Sequence, residues 1–210
     1  MQLALICFAL AEEAAALPPK VWRRRATVLI TGIGRRNAEM AVRESLAVNQ
    51  PERVFTCGFA GALDPRLPIG AVVFATDEAA LHAKLLAAGA QPAKFFCSPR
   101  IATTAAEKQE LRRSTGADAV EMESEAIHAV CRERGIPCAT VRVISDTADD
   151  DLPLDFNALA NADLSLNYGK LALAIAKTPG KIPALLRLQK NSRCAAERLA
   201  DLLGRVIRAG

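Results

Sequence analysis

The feature that most restricts how this chain folds is a steady exchange of short apolar runs with stretches of helical composition. Gln2 to Phe8, Ala26 to Thr31, Arg53 to Cys57, Gly70 to Thr76 and Cys138 to Ile144 read as strands. Lys94 to Cys97 is a further short apolar segment. The first, Gln2 to Phe8, is a continuous apolar run, consistent with a strand buried on both faces. Between the strands, Asn37 to Ala47, Ala79 to Ala88 and Ala105 to Arg113 read as helices, and an apolar Ala117 to Val120 leads into Glu121-Met122-Glu123-Ser124-Glu125 and then a helix to Arg134. Ala11 to Leu17 reads as a helix start stopped by Pro18-Pro19, and Gly135 and Pro137 end the segment before Cys138. From Asn167 onward the chain is helical in composition, interrupted around Thr178-Pro179-Gly180. Strands that alternate with helices predict an α/β domain with a largely parallel sheet covered on both sides. No internal repeat or linker divides the 210 residues, so one domain over residues 1–210 is expected, with about 165–210 as its helical C-terminal part.

In such a sheet a ligand sits beyond the C-terminal ends of the strands. Those ends carry Gly32 and Gly34, Gly58 and Gly61, and Ser145 and Asp146. Gly58-Phe59-Ala60-Gly61 reads either as a tight turn after a strand or as a place where backbone approaches a ligand. Thr31-Gly32-Ile33-Gly34 lacks the third glycine of a dinucleotide fingerprint. Asp146 follows a strand too apolar to be exposed. A carboxyl group there, partly withdrawn from water, suits a proton donor, a helix cap or a salt bridge. Glu121-Met122-Glu123-Ser124-Glu125 places three alternating carboxylates near a helix start, where they suit the helix dipole. The same segment sets an apolar Met122 beside a carboxylate able to accept hydrogen bonds from two vicinal hydroxyls. Glu12 and Glu13, after the first strand, either begin a helix or offer a base toward water.

Several classes are excluded. No Gly-x-Ser-x-Gly occurs, so a serine hydrolase has no support. The six cysteines include no Cys-x-x-Cys pair, and with His82 and His128 unclustered no metal is expected. Cysteines inside apolar runs indicate a reducing, cytoplasmic compartment. The apolar N-terminus has no basic segment before it and Glu12-Glu13 after it, which reads as a buried strand rather than a signal peptide. No run reaches membrane-spanning length. The net charge of +4 is mild, but from Lys181 to Arg208 seven bases face only Glu197 and Asp201. That stretch is either a solvated helix face or a basic face for an anionic membrane or substrate. No aromatic residue is interleaved with a basic run, which excludes nucleic acid as a partner.

Taken together, the segments ALAEEAAAL (Ala9 to Leu17), TGIG (Thr31 to Gly34), TCGFAGAL (Thr56 to Leu63), VEMESEA (Val120 to Ala126) and RVISDTAD (Arg142 to Asp149) resemble the purine nucleoside phosphorylase superfamily. The nearest likeness is to its methylthioadenosine/S-adenosylhomocysteine nucleosidases. The resemblance implies a three-layer α/β/α sandwich with a mostly parallel, mixed central sheet, assembled as a homodimer. It also implies cleavage of the N-glycosidic bond of a purine nucleoside, by water or with phosphate as co-substrate, and no other cofactor. On the matching positions it makes Asp146 the acid that protonates the purine, held by Ser145. Glu123 binds the ribose hydroxyls with Met122 packed on the sugar, and Glu13 activates water. Gly58, Phe59 and Ala60 border the substrate. The N-terminal glycine-aspartate-proline signature of hexameric phosphorylases is missing, whereas Arg35, Arg36 and Arg100 are groups that bind phosphate. The stretch before Val120 is shorter than in the nucleosidases, and Arg100 stands where their base-stacking aromatic falls, with Phe95 and Phe96 nearby. The region from Asn167 to Leu199 is similar to the hopanoid-associated phosphorylase branch. That likeness implies a lipid-linked adenine nucleoside such as adenosylhopane, an open pocket and a membrane contact through the basic C-terminal helix. A non-catalytic nucleoside-binding protein on the same fold is the competing reading.

Overall fold

A computed structural model describes residues 4–17, 25–161, 163–165 and 167–208. The described residues form an eight-stranded mixed sheet flanked by helices. Its strands are β1 (Ala4–Phe8), β2 (Ala26–Ile30), β3 (Val54–Ala62), β4 (Val72–Thr76), β5 (Gln91–Pro92), β6 (Phe95–Cys97), β7 (Ala119–Glu121) and β8 (Cys138–Asp146). The main order is β2-β1-β3-β8-β4-β5. β2, β1, β3 and β8 run parallel, and β4 pairs antiparallel with β8. β7 branches from the end of β3 in antiparallel pairing and carries β6. The mostly parallel, mixed sheet of a three-layer sandwich is the architecture expected.

The two buried faces follow from the two-residue period of a strand. In β1, Ala4, Ile6 and Phe8 point to one side, with Phe55, Phe74 and Val141. There they meet Leu81 and Leu85 of α3 (Ala79–Ala87) and Leu199, Leu203 and Val206 of the long α8 (Ile182–Arg208). Leu5 and Cys7 point to the other side, against Ala38, Val42 and Leu46 of α2 (Arg35–Val48) and Ile127 and Val130 of α5 (Ser124–Glu133). Each large side chain so buried contributes roughly 1.5–3 kcal/mol. α1 (Ala11–Ala14) follows β1 directly. α4 (Ala105–Thr115) starts at Thr104, whose side chain accepts the Glu107 N–H, and ends on left-handed Gly116. α6 (Phe156–Leu159) is capped by Asp155. α7 (Tyr168–Lys177) and a 3-10 turn (Pro179–Lys181) precede α8, so the expected break near Pro179 is present.

The structure corrects three boundaries. Gly58-Phe59-Ala60-Gly61 is not a turn after β3 but its second half, paired with Arg142 to Asp146 of β8 across a bulge at Ala60/Gly61. The helix expected over Ala11 to Leu17 is one turn long. β5 is a further strand. Its two residues, Gln91 and Pro92, carry no apolar pattern and are ordered by pairing with β4. The expected strand start at Gln2 and the Pro18-Pro19 stop lie outside the described residues.

Candidate active site

The C-terminal ends of β1, β3 and β8 converge on a cavity of ≈ 180 Å³. Glu13, Phe59, Ala60, Arg100, Met122, Glu123, Ser145 and Asp146 all line it. Ile33, Ile101 and Leu152 supply apolar wall. Ile33 falls within the TGIG segment, whereas Ile101 and Leu152 belong to no motif. Gly58 does not line the cavity. Phe95 and Phe96 pack toward buried hydrophobic clusters, and Phe59 is the aromatic of the cavity wall.

The centre of the site is Arg142, buried in mid-strand of β8. Its Nη2 donates to Glu121 Oε2 at 2.6 Å, Thr56 Oγ1 at 3.1 Å and Glu123 Oε2 at 3.3 Å. Its Nη1 donates to the Cys57 carbonyl at 3.3 Å. Its Nε has no hydrogen-bond partner among the described residues.

The three carboxylates of the Glu-Met-Glu-Ser-Glu segment have separate surroundings. Glu121 Oε2 accepts the Glu123 and Ser124 N–H groups and Oε1 accepts the Ser124 hydroxyl, so Glu121 caps α5 and neutralises Arg142. Burial raises the pKa of Glu121, but Arg142 and these hydrogen bonds outweigh it and hold the group below its ordinary value. Glu123 Oε1 accepts the Gly34 N–H at 2.8 Å. Burial pushes its pKa up, with the Glu121 charge adding to the rise and Arg142 opposing it. Glu125 is exposed and pairs with Arg35 at 3.0 Å.

Glu13 is buried although Glu12 beside it is exposed. Its Oε2 accepts the Leu10 N–H at 3.0 Å and its Oε1 the Phe59 N–H at 2.7 Å. Burial pushes its pKa up to about 7, with Arg142 opposing the rise. A carboxyl group that is half ionised near neutrality is a base for an O–H. Gly58 makes this packing possible. A Cβ at Gly58 would lie 2.5 Å from Glu13 Oε1 and 2.7 Å from Arg142 Nη1, and φ there is +145°. The glycine therefore leaves the space that the side chains of Glu13 and Arg142 occupy.

Asp146 ends β8. Its Oδ1 accepts the Ser145 hydroxyl at 2.7 Å, and its Oδ2 lies 2.6 Å from the Lys108 Nζ. Lys108 and Arg142 are the charged residues that sequence reasoning missed. Arg142 sat inside a quoted segment without a role, and Lys108 sits in a helix of otherwise ordinary polar composition. Arg100, at the rim, is paired with Glu107.

Among known proteins, the family model described as "Phosphorylase superfamily" matches residues 19–99 and 94–177. A 5′-methylthioadenosine/S-adenosylhomocysteine nucleosidase of Glaesserella parasuis is 29% identical over 164 residues, covering 62% of this chain and 71% of that protein. The structure of a futalosine hydrolase of Helicobacter pylori superposes with a TM-score of 0.74 at 17% identity, covering 100% of this chain and 98% of the other. A 5′-methylthioadenosine/S-adenosylhomocysteine nucleosidase of the same organism gives 0.74 at 18%, covering 100% and 99%.

Proposed function

The chain belongs to the phosphorylase superfamily, and on that premise we propose that it hydrolyses the N-glycosidic bond of a purine nucleoside. The observation that carries this reading is the pairing, in one cavity, of an acid at a strand end with a buried base. Asp146 protonates the leaving purine, with Ser145 fixing its carboxyl group. Glu123 accepts the ribose hydroxyls on Oε2, the oxygen held only by the longer Arg142 contact. Met122 packs beside the sugar. Glu13 takes a proton from the attacking water, and a group with a pKa of about 7 is matched to that task. Glycosidic cleavage passes through an oxocarbenium-like state, which the carboxylates of Glu13 and Glu123 stabilise. Arg100 borders the substrate at the rim. Ala60 lines the β3 wall, while Gly58 leaves room for Glu13 and Arg142.

Water is favoured over phosphate as the acceptor. Four carboxyl groups line the cavity, those of Glu13, Glu121, Glu123 and Asp146, while Arg35 is engaged with Glu125 and Arg100 with Glu107. No further cofactor enters this scheme. The whole chain works as one domain, because α8 packs on the same sheet that carries the site.

The substrate's 5′ side has room for a bulky apolar group, of which adenosylhopane is the extreme implied by the sequence resemblance. Phe59 is shared between the cavity and a second groove of ≈ 560 Å³ between α1 and α8, lined by Ala15, Ala16, Ala196 and Arg193. A membrane-surface location fits the same picture. α7 has no buried residue, and Tyr168, Leu173, Ile182 and Leu186 are exposed. From residue 164 to 196 the chain has six bases and no acid. The contact proposed is peripheral, on the cytoplasmic side; none of the described helices is long and apolar enough to cross a membrane. The assembly is a homodimer, with exposed Leu10 and Met40 available to an interface. Light scattering gives twice the chain mass if this holds.

The test is incubation with methylthioadenosine, adenosine, inosine and a 5′-alkyl adenosine, with and without phosphate, followed by chromatography for free base. The expected result is phosphate-independent release of adenine, fastest from the 5′-alkyl nucleoside. Release only with phosphate makes the protein a phosphorylase. Tight nucleoside binding without release, unchanged in Asp146→Asn, favours the non-catalytic binder.

A further inference from the structure

Among the described residues Lys108 is the one buried lysine, and it is fully buried. It projects from α4, a helix in which no other residue is buried. Its ammonium group has three protons and meets three acceptors. These are the carbonyls of Thr147 at 2.7 Å and Asp150 at 2.9 Å, and Asp146 Oδ2 at 2.6 Å. A buried cation carries a large desolvation cost unless an anion answers it. Asp146 is that anion. Lys108 does not line the cavity, so it has no direct access to substrate.

With Lys108 on Oδ2 and the Ser145 hydroxyl on Oδ1, both oxygens of Asp146 act as acceptors. Gly61 completes the seat, since a Cβ there would stand 3.1 Å from Oδ2. The two carbonyl contacts also tie the loop after β8 to α4. A role confined to that loop would need no contact with the carboxylate.

We propose that Lys108 is a positioning residue that acts through Asp146. It fixes the carboxyl group against β3, and its charge stabilises the carboxylate produced when the acid's O–H bond breaks and an N–H bond forms on the departing base. The proton goes to the leaving group, and the negative charge left on Asp146 is met by an ammonium already in place, with no reorganisation at the moment of reaction. This inference rests on the glycosidase reading of the site.

The test is a double-mutant cycle with Lys108→Met, a substitution of similar length without charge. In the otherwise native enzyme kcat is expected to fall about 100-fold, the scale set by misplacing a reacting group by about 1 Å. KM should stay within about threefold, because no contact with substrate is lost. In an Asp146→Asn background the same substitution should change kcat less than twofold. Equal losses in both backgrounds, or a matching rise in KM, would mean that Lys108 only supports the fold, and the proposal is overturned. If Lys108→Met is poorly folded, Lys108→Ala with added methylammonium provides the second readout. Recovery with the cation and not with methanol supports the role, and no recovery in a folded Lys108→Ala protein overturns it. The two readings fail separately. Full activity in Asp146→Asn removes the glycosidase mechanism, whereas a strongly slowed Asp146→Asn whose residual rate falls additively with Lys108→Met removes only the role of Lys108.

Discussion

Glu13→Gln should stabilise the fold in mildly alkaline solution while abolishing hydrolysis. The carboxyl group is buried and its pKa is pushed from the ordinary 4.5 to about 7. Below pH 4.5 the group holds its proton in the folded and the unfolded chain alike, so ionisation costs nothing. Between 4.5 and 7 the unfolded chain loses the proton and the folded chain keeps it, and stability falls as pH rises. Above 7 both forms are ionised and the full cost of the buried charge is present. A difference of about 2.5 units corresponds to roughly 3 kcal/mol. Glutamine never ionises and carries none of this pH-dependent term. It does leave one of the Leu10 and Phe59 N–H groups facing an amide NH₂, a constant penalty of about 1–3 kcal/mol.

The constant penalty drops out when the two proteins are compared across pH. Urea unfolding of both at pH 4.5 and pH 8 should show the stability of the variant relative to the parent rising by roughly 3 kcal/mol. In thermal scans that is roughly 6–12 °C for a chain of this size. Activity should fall about 10²–10⁴-fold, the usual contribution of a positioned base, and the acid limb of the parent's kcat/KM profile should lie near pH 7. A relative stability that stays flat across this range would refute the claim that Glu13 is held as a strained, buried base.

Three further substitutions probe the same cluster. Glu123→Gln should lower kcat/KM for ribosides by about 10–100-fold, the value of one or two charged hydrogen bonds. Assayed beside the 2′-deoxyribosides, it should shrink the preference for the ribosides. Gly58→Ala forces a side chain into a positive φ and into contact with Glu13 and Arg142. It should cost at least about 1–3 kcal/mol in urea unfolding and remove activity. Arg142→Met leaves Glu121, Glu123 and Glu13 without their shared cation. It should destabilise by about 3–5 kcal/mol at pH 8, and by less at pH 5 where the carboxyl groups take up protons.

What could be read in the sequence was periodic or local. The continuous apolar run of β1 has both parities buried, which is what a strand between two helical layers requires. The acids after strand ends were legible for the same reason, since a parallel sheet sends those ends to one side. Two features were hidden because they depend on pairing across the sheet. Gly58 to Gly61 looked like a turn in isolation, but alignment with β8 makes it strand and gives Gly58 its purpose. Lys108 looked like one more polar residue of a polar helix, since nothing local to α4 reveals that Asp146 at the end of β8 and two carbonyls of the loop after it await its ammonium. The basic C-terminal stretch also divides in the structure. Arg198 and Arg205 are tied to the carbonyls of Gly70 and Ala88 where α8 packs on the sheet, while the bases from Lys170 to Arg193 stay outward.

The charges around Arg142 explain why one member of a group of similar carboxylates is left ionisable near neutrality, as the proposed base must be. Three glutamates surround a single buried guanidinium, so at most one can be fully neutralised. Glu121 takes that place with the shortest contact and three more hydrogen bonds, and its pKa is lowered. Glu123 and Glu13 share what remains of the positive charge, and both are raised. Glu13 receives two backbone N–H groups but no direct hydrogen bond from Arg142, which leaves it ionisable near neutrality rather than locked as an anion. Asp146 has its own cation in Lys108, from another helix. Acid and base are thereby supplied with charge by separate residues, so a substitution at Arg142 should alter the base side of the pH profile while leaving Asp146 held by Lys108.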